Sequence, residues 1–288
     1  MPGSDSWEFS EPTTLDLDGP MEQLHLRLYD GALNVVRMTE PDGPVRVEIS
    51  ELRGAPVQVR REGASLLIGY EDMTWERFLG ITGRKFRRRR AVVSVSVPEG
   101  VRVTAGVVSA TTVVSGISGG TEIRGATGGI TLVGLGGPVE IHTASGDVEG
   151  QSITGPLRFH SASGDMTLLD GAPEVEAETV SGRLMLDLAP GTNAPRLRLN
   201  SVSGAVAVRF PEHSGATVRA SSVTGGISSE FPGFSSRGSY GPRKVSGPLG
   251  DGRGRVDITT VSGSIALLRR PADNPADASA TSPLVKDI

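Results

Sequence analysis

A short Ser-Gly motif recurs along the second half of this chain at a fixed interval, and that interval restricts the fold more than any other property of the sequence. It reads TASGDV at 143–148, SASGDM at 161–166, TVSGRL at 179–184, SVSGAV at 201–206, SVTGGI at 222–227 and TVSGSI at 260–265. Gly128 and Ala110 extend the series backwards, so that positions 110, 128, 146, 164 and 182 are spaced by 18. Turn-formers also stand at the half-steps, at Gly119, Gly137, Gly155 and Pro173. Each unit is therefore two strand-plus-turn segments. Repeats of this kind stack so that neighbours bury each other's faces, which makes a solenoid.

The columns of the alignment name the inward positions. Seven residues before the motif glycine stand Val139, Leu157, Val175, Leu197, Val218 and Val256; five before stand Ile141, Phe159, Ala177, Leu199, Ala220 and Ile258. Two after stand Val148, Met166, Leu184, Val206, Ile227 and Ile265; four after stand Gly150, Leu168, Leu186, Val208, Ser229 and Leu267. Steps of two along a strand put such residues on one face. The corner glycine is expected to serve either a positive φ or a close backbone approach. After Gly182 the spacing drifts, and insertions hold 211–215 and 231–254; Val245-Ser246-Gly247 has no clear place among the rungs. The far end of the stack is expected to be the last rung, Ile265 to Leu268, masked by Arg269, Arg270 and the tail.

Upstream, Leu24, Leu26 and Leu28, then Val45, Val47 and Ile49, then Val93, Val95 and Val97 alternate with polar residues. These read as half-buried strands of an antiparallel meander. The chain thus divides into a polar arm at 1–19, an antiparallel β cap at 20–100, a repeat solenoid at 101–270 and a disordered Pro/Ala/Asp-rich tail at 271–288. The fold class is all-β, a β-solenoid of about 18 residues per unit with an N-terminal antiparallel cap; a β-sandwich of the same strands is the alternative.

The Ser-Gly-Asp-Val and Val-Ser-Gly-x-Ile rungs resemble the DUF4097 family, whose members carry β-strand repeats and an adhesin label. The preceding VSVSVPEGV (93–101) is similar to the segment that leads into that family's repeats. The resemblance covers most of 20–270 and concerns a structural motif. It implies a non-catalytic scaffold or interaction module. Two departures stand out: Ala110 replaces glycine in the first rung, and a membrane anchor of the kind some members carry is not expected here.

Composition limits the chemistry. There is no cysteine, which excludes a thiol nucleophile, a disulfide framework and thiolate-held metals. The net charge of −4 argues against a nucleic-acid binder. No apolar run reaches the ~18–20 residues of a membrane span, and the acidic start lacks a signal-peptide pattern. The expected place is cytoplasmic, with a membrane-peripheral option.

Several polar columns invite a chemical reading. His142, His160 and Glu178 would stack on neighbouring rungs with ligand-type side chains, but a flat ladder presents them in parallel, and a solvated stripe is the better reading. Glu140, Arg158, Glu176 and Arg198 alternate in sign, which suits register control rather than catalysis. Asp147 and Asp165 follow corner glycines and read as turn stabilisers. The Gly250, Gly252 and Gly254 series reads as a turn. No enzyme, cofactor or metal site is expected.

The stretch 72–90, DMTWERFLGITGRKFRRRR, is the expected contact site. Trp75, Phe78 and Leu79 share one helical face, and Arg84, Lys85, Arg87, Arg88, Arg89 and Arg90 follow. An apolar turn beside a basic run suits an anionic membrane surface or an acidic partner. The expected function is an adhesin-like scaffold presenting a rigid β-repeat surface to a protein or envelope-linked partner, with end-to-end self-association as a further option. Peripheral binding to the anionic inner membrane face is the alternative, and a polysaccharide-active β-helix enzyme ranks below both.

Overall fold

The computed structural model describes residues 4–40, 43–73, 89–234 and 242–271. Among them there are 25 strands and no helix. The strands form two long sheets of 13 and 12. Among the described residues no helix is long and apolar enough to cross a membrane. Each rung gives one strand to each sheet. In the larger sheet β9 (Arg102–Val107), β11 (Thr121–Gly125), β13 (Val139–Thr143), β15 (Leu157–Ser161), β17 (Glu174–Thr179) and β19 (Arg196–Ser201) follow one another in parallel. In the other, β10 (Thr111–Ser115), β12 (Ile130–Val133), β14 (Val148–Gln151), β16 (Met166–Gly171), β18 (Leu184–Leu188) and β20 (Val206–Phe210) do the same. The architecture is the β-solenoid expected from the repeat, and the sandwich alternative does not describe it.

The inward columns form a single core between the sheets. Ile141, Phe159, Ala177 and Leu199 are fully buried, as are Leu157, Val175, Met166 and Leu184. Removing a side chain of this size from water stabilises by roughly 1.5–3 kcal/mol. The rungs contribute alike, so stability is spread along the rod.

The motif glycines answer one question that the sequence leaves open. None of those in the stack has a positive φ. A Cβ on Gly146 would lie 2.1 Å from the carbonyl oxygen of Gly128, and one on Gly164 2.1 Å from that of Gly146. The half-step glycines are pinched in the same way, with a Cβ on Gly137 falling 2.3 Å from the oxygen of Gly119. Close approach of rung to rung is what requires glycine there. The turn at Gly250 and Gly252 is the other case, with φ of 53° and 71°.

At the N-terminal end, antiparallel ladders cap the stack. β1 (Ser4–Phe9) pairs with β6 (Val57–Glu62) and β6 with β7 (Ser65–Gly69). On the other sheet β2 (Thr13–Leu17) pairs with β5 (Val45–Arg53) and β5 with β8 (Arg90–Val97). Inside these edges the meander reading needs correction. β3 (Gln23–Leu28) runs parallel to β7 and β9, and β4 (Asp30–Arg37) parallel to β8 and β10. Sequence alternation alone cannot tell a parallel partner from an antiparallel one. The acidic arm supplies the two outermost strands, β1 and β2.

The C-terminal end departs from the expectation more sharply. The last rung, β24 (Gly254–Thr260) and β25 (Ile265–Arg269), is not at the end. It is inserted between β19/β20 and the preceding rung, β21 (Ala216–Ser222) and β22 (Ile227–Ser229). β23 (Arg243–Leu249), which holds Val245-Ser246-Gly247, then pairs antiparallel with β21 and closes the larger sheet. The inward columns explain the order. The inserted rung brings Ile258 and Leu267, both 1% exposed, whereas the outer rung has Ala220 and Ser229 at those levels. The more apolar rung takes the site covered on both sides. Phe231 and Phe234 are buried nearby, and Phe231 packs edge-on to Phe210 with ring centroids 6.0 Å apart. The segments 74–88 and 272–288, with the expected short helical turn and the tail, lie outside the described residues.

Candidate interaction surfaces

The corner motif builds an exposed apolar stripe. Three residues before each glycine a Thr or Ser hydroxyl accepts the glycine amide: Gly146 donates to Thr143 Oγ1 at 3.0 Å, Gly164 to Ser161 Oγ at 2.8 Å and Gly182 to Thr179 Oγ1 at 3.0 Å. One residue before the glycine, a serine hydroxyl donates to a carbonyl of the rung below, as Ser163 does to Ala144 at 3.3 Å and Ser181 to Ala162 at 3.2 Å. With both neighbours tied down by hydroxyl hydrogen bonds, the residue between them points out. In spatial order that column runs Ala144, Ala162, Val180, Val202, Val261, Val223. The four valines are 46–53% exposed.

Beside the stripe lies an open groove of ≈ 760 Å³ whose other wall is His142, His160, Glu178, Asn200 and Thr259. The imidazoles of His142 and His160 stack at 5.0 Å with 10° between planes. His142 Nε2 sits 2.7 Å from Glu140 Oε1, and this hydrogen bond holds the Glu140 carboxyl below its ordinary pKa. His160 Nδ1 is 3.5 Å from Glu178 Oε2, and Asn200 Nδ2 donates to Glu178 Oε1 at 3.2 Å. The ring nitrogens thus take partners in different directions, His142 on its own strand and His160 on the next rung, and do not converge. No group of three or more His, Asp or Glu among the described residues is placed to hold a metal ion.

On the same face the column one residue pair further out alternates in charge. Glu176 lies 3.7 Å from Arg158 and 3.9 Å from Arg198, and Arg219 lies 3.7 Å from Asp257. The aspartates after the corner glycines tie each rung to the next instead of closing their own turns: Asp147 Oδ1 accepts the Asp165 amide at 3.0 Å and Asp165 Oδ1 the Arg183 amide at 2.8 Å.

Of the expected contact residues, Trp75, Phe78, Leu79, Arg84, Lys85, Arg87 and Arg88 lie outside the described residues. Arg89 and Arg90 are described, and both are engaged. Arg89 Nη1 is 2.7 Å from each carboxylate oxygen of Asp72, and its guanidinium lies 5.3 Å from the ring centres of Tyr29 and Tyr70. Burial pushes the Tyr70 hydroxyl up in pKa. Arg90 approaches Glu51 at 3.5 Å and Asp30 at 3.6 Å. These two arginines are thus tied to Asp72 and to strands β4 and β5.

One charged cluster escaped the sequence reading. Asp187, nearly buried on β18, pairs with Arg209 and with Arg270 Nη2 at 2.7 Å, and Arg270 also reaches Asp170 at 2.9 Å. Asp170 has a φ of 48° in a bulge of β16. Burial alone would raise the Asp187 pKa, but the two guanidinium groups outweigh it and hold the carboxyl low. No spacing rule links Asp170, Asp187 and Arg270, because the bulge and the inserted rung bring them together.

Comparison with known proteins follows the fold. The family model of Toastrack DUF4097 matches residues 25–268. A search of curated proteins finds no match. Among solved structures, that of a "putative cell adhesion protein" from Clostridium sporogenes is 13% identical over 90% of this chain and 100% of the other, with a TM-score of 0.24. At these values that likeness carries no argument.

Proposed function

This chain belongs to the Toastrack DUF4097 family, and from that premise we propose that it is a non-catalytic, adhesin-like interaction module that presents one rigid corner of the solenoid to a partner. The observation that carries the reading is the stripe of Val180, Val202, Val261 and Val223 beside the polar groove wall. Four half-exposed valines in consecutive rungs are a contiguous apolar patch, the usual mark of a contact surface. The hydroxyl ladder below holds them on a fixed spacing of about 4.8 Å, so little ordering cost remains on binding. The titratable groups of this face support the reading too: they sit in a ladder of neighbouring pairs, an arrangement suited to recognition rather than to convergence on a reacting atom.

The test is binding of the full chain to immobilised cell-envelope polysaccharide and to anionic vesicles, with turnover of the polysaccharide followed in the same samples. Saturable binding without turnover, lost in a Val180→Asp/Val202→Asp variant and kept when Arg84, Lys85, Arg87 and Arg88 are changed to Ser, supports the corner as the contact site. Binding to vesicles alone, lost only in the Ser variant, moves the function to the basic segment and the membrane surface. Turnover of the polysaccharide overturns the non-catalytic reading.

A further inference from the structure

We propose that the protein assembles head to tail with copies of itself, β23 of one copy pairing with β1 of the next so that Lys244 stands opposite Glu8. Both strands are ends of the larger sheet and are bonded on one side only among the described residues. An unpaired edge is a template for another strand unless it is blocked.

The registers fix what such a junction would match. Followed pair by pair across all 13 strands, Glu8 and Lys244 occupy the same level of the sheet. Trp7 and Val245 share the next level, and both turn toward the core side. Ser6 and Ser246 share the one after. Directions agree as well. β1 runs the same way as β3, being antiparallel to β6, which is antiparallel to β7. β23 runs opposite to β21. Coaxial copies of the same sense would therefore join through an antiparallel ladder, the better-bonded kind. Pro248 has no amide hydrogen, which confines that ladder to the Arg243–Gly247 stretch.

Charge gives the junction its polarity. Residues 4–18 contain Asp5, Glu8, Glu11, Asp16 and Asp18 and no Lys or Arg, while 242–249 contain Arg243 and Lys244 and no acid. Glu8 and Lys244 are both exposed. Unlike ends attract and like ends repel, so head-to-tail contact is favoured over head-to-head. The smaller sheet is one strand shorter, so the larger sheet carries the junction. A contact of this kind does not close on itself and gives an open filament.

The experiment is light scattering on a sizing column over a concentration series of the full chain, with thermal melts to confirm that each variant is folded. The expected result is a mass that climbs above the 30.0 kDa of one chain as concentration rises. Glu8→Lys and Lys244→Glu should each raise the concentration needed by roughly five- to tenfold. The double exchange, Glu8→Lys with Lys244→Glu, should bring assembly back. A constant single-chain mass throughout the series overturns the proposal. So does growth that the single exchanges leave unchanged, or a double exchange that fails to restore what both singles lose.

Discussion

Arg219 Nη1 lies 3.7 Å from Asp257 Oδ1, and because the chain stacks its last two rungs in reverse order Asp257 also stands between Arg219 and Arg198. In sequence order Arg198 would be followed by Arg219, cation against cation. With the last rung inserted, the outward column runs Glu176, Arg198, Asp257, Arg219, alternating in sign throughout. The inward column selects the same order, since Ile258 and Leu267 are the residues that most benefit from cover on both sides. Two independent sets of side chains thus agree on one topology.

Reversing that charge should disturb the stack. Asp257→Lys places three cations on neighbouring strands at Arg198, Lys and Arg219. Like charges directly opposite one another cost a few tenths to about 1 kcal/mol each. Urea unfolding should show a lower midpoint at low ionic strength and a smaller loss at ~1 M salt, where the screening length is about 3 Å. A salt-independent loss would mean that the cost is packing, not charge.

Glycine at the rung corners should be intolerant of even one methyl group. In Gly164→Ala the new Cβ would meet the Gly146 oxygen at 2.1 Å, and backbone cannot give way cheaply. Overpacking of this kind costs about 1–3 kcal/mol. Gly191 has open space around it, so Gly191→Ala should be neutral or stabilise by about 0.4–1 kcal/mol. Parallel urea titrations of the two variants test the contrast, and equal effects would refute it.

Acid should loosen the contacts that Asp187 makes with Arg209 and Arg270. Its carboxyl titrates below the ordinary value in the folded chain, because Arg209 and Arg270 outweigh the effect of burial. A depressed carboxylate pKa means stability that is present in full above the unfolded value of about 3.9 and lost as pH falls through the folded value. Asp165, held low by the Arg183 amide and side chain, adds in the same direction. Asp187→Asn should therefore lower the melting temperature at pH 7 and flatten its fall between pH 5 and pH 2. A variant with an unchanged acid slope would show that Asp187 does not contribute to it.

Much of this molecule is written in its local pattern. The 18-residue spacing sets the rung length, the period-2 columns identify the core from Val139 to Leu267, and the Thr/Ser-x-Ser-Gly motif marks the corners. These are local properties: a strand's two faces and a turn's shape follow from a few adjacent residues. The alternating charges of Glu140, Arg158, Glu176 and Arg198 were legible for the same reason, since each neighbours its partner at one constant spacing or nearly so.

What only the tertiary structure decided is how the pieces are ordered where the spacing breaks. The sequence alone determined the repeat, the inward residues and the glycine corners. It did not determine that β24 and β25 fit between two earlier rungs, that β3 and β4 already belong to the parallel stack, or that Asp170, Asp187 and Arg270 meet. Strand alternation is the same whichever strand lies alongside, so pairing is settled only by competition among all rungs for cover. The valine stripe shows the contrast: Val180, Val202, Val223 and Val261 each stand in a readable motif and would adjoin in either order, but only the structure places Val261 between Val202 and Val223.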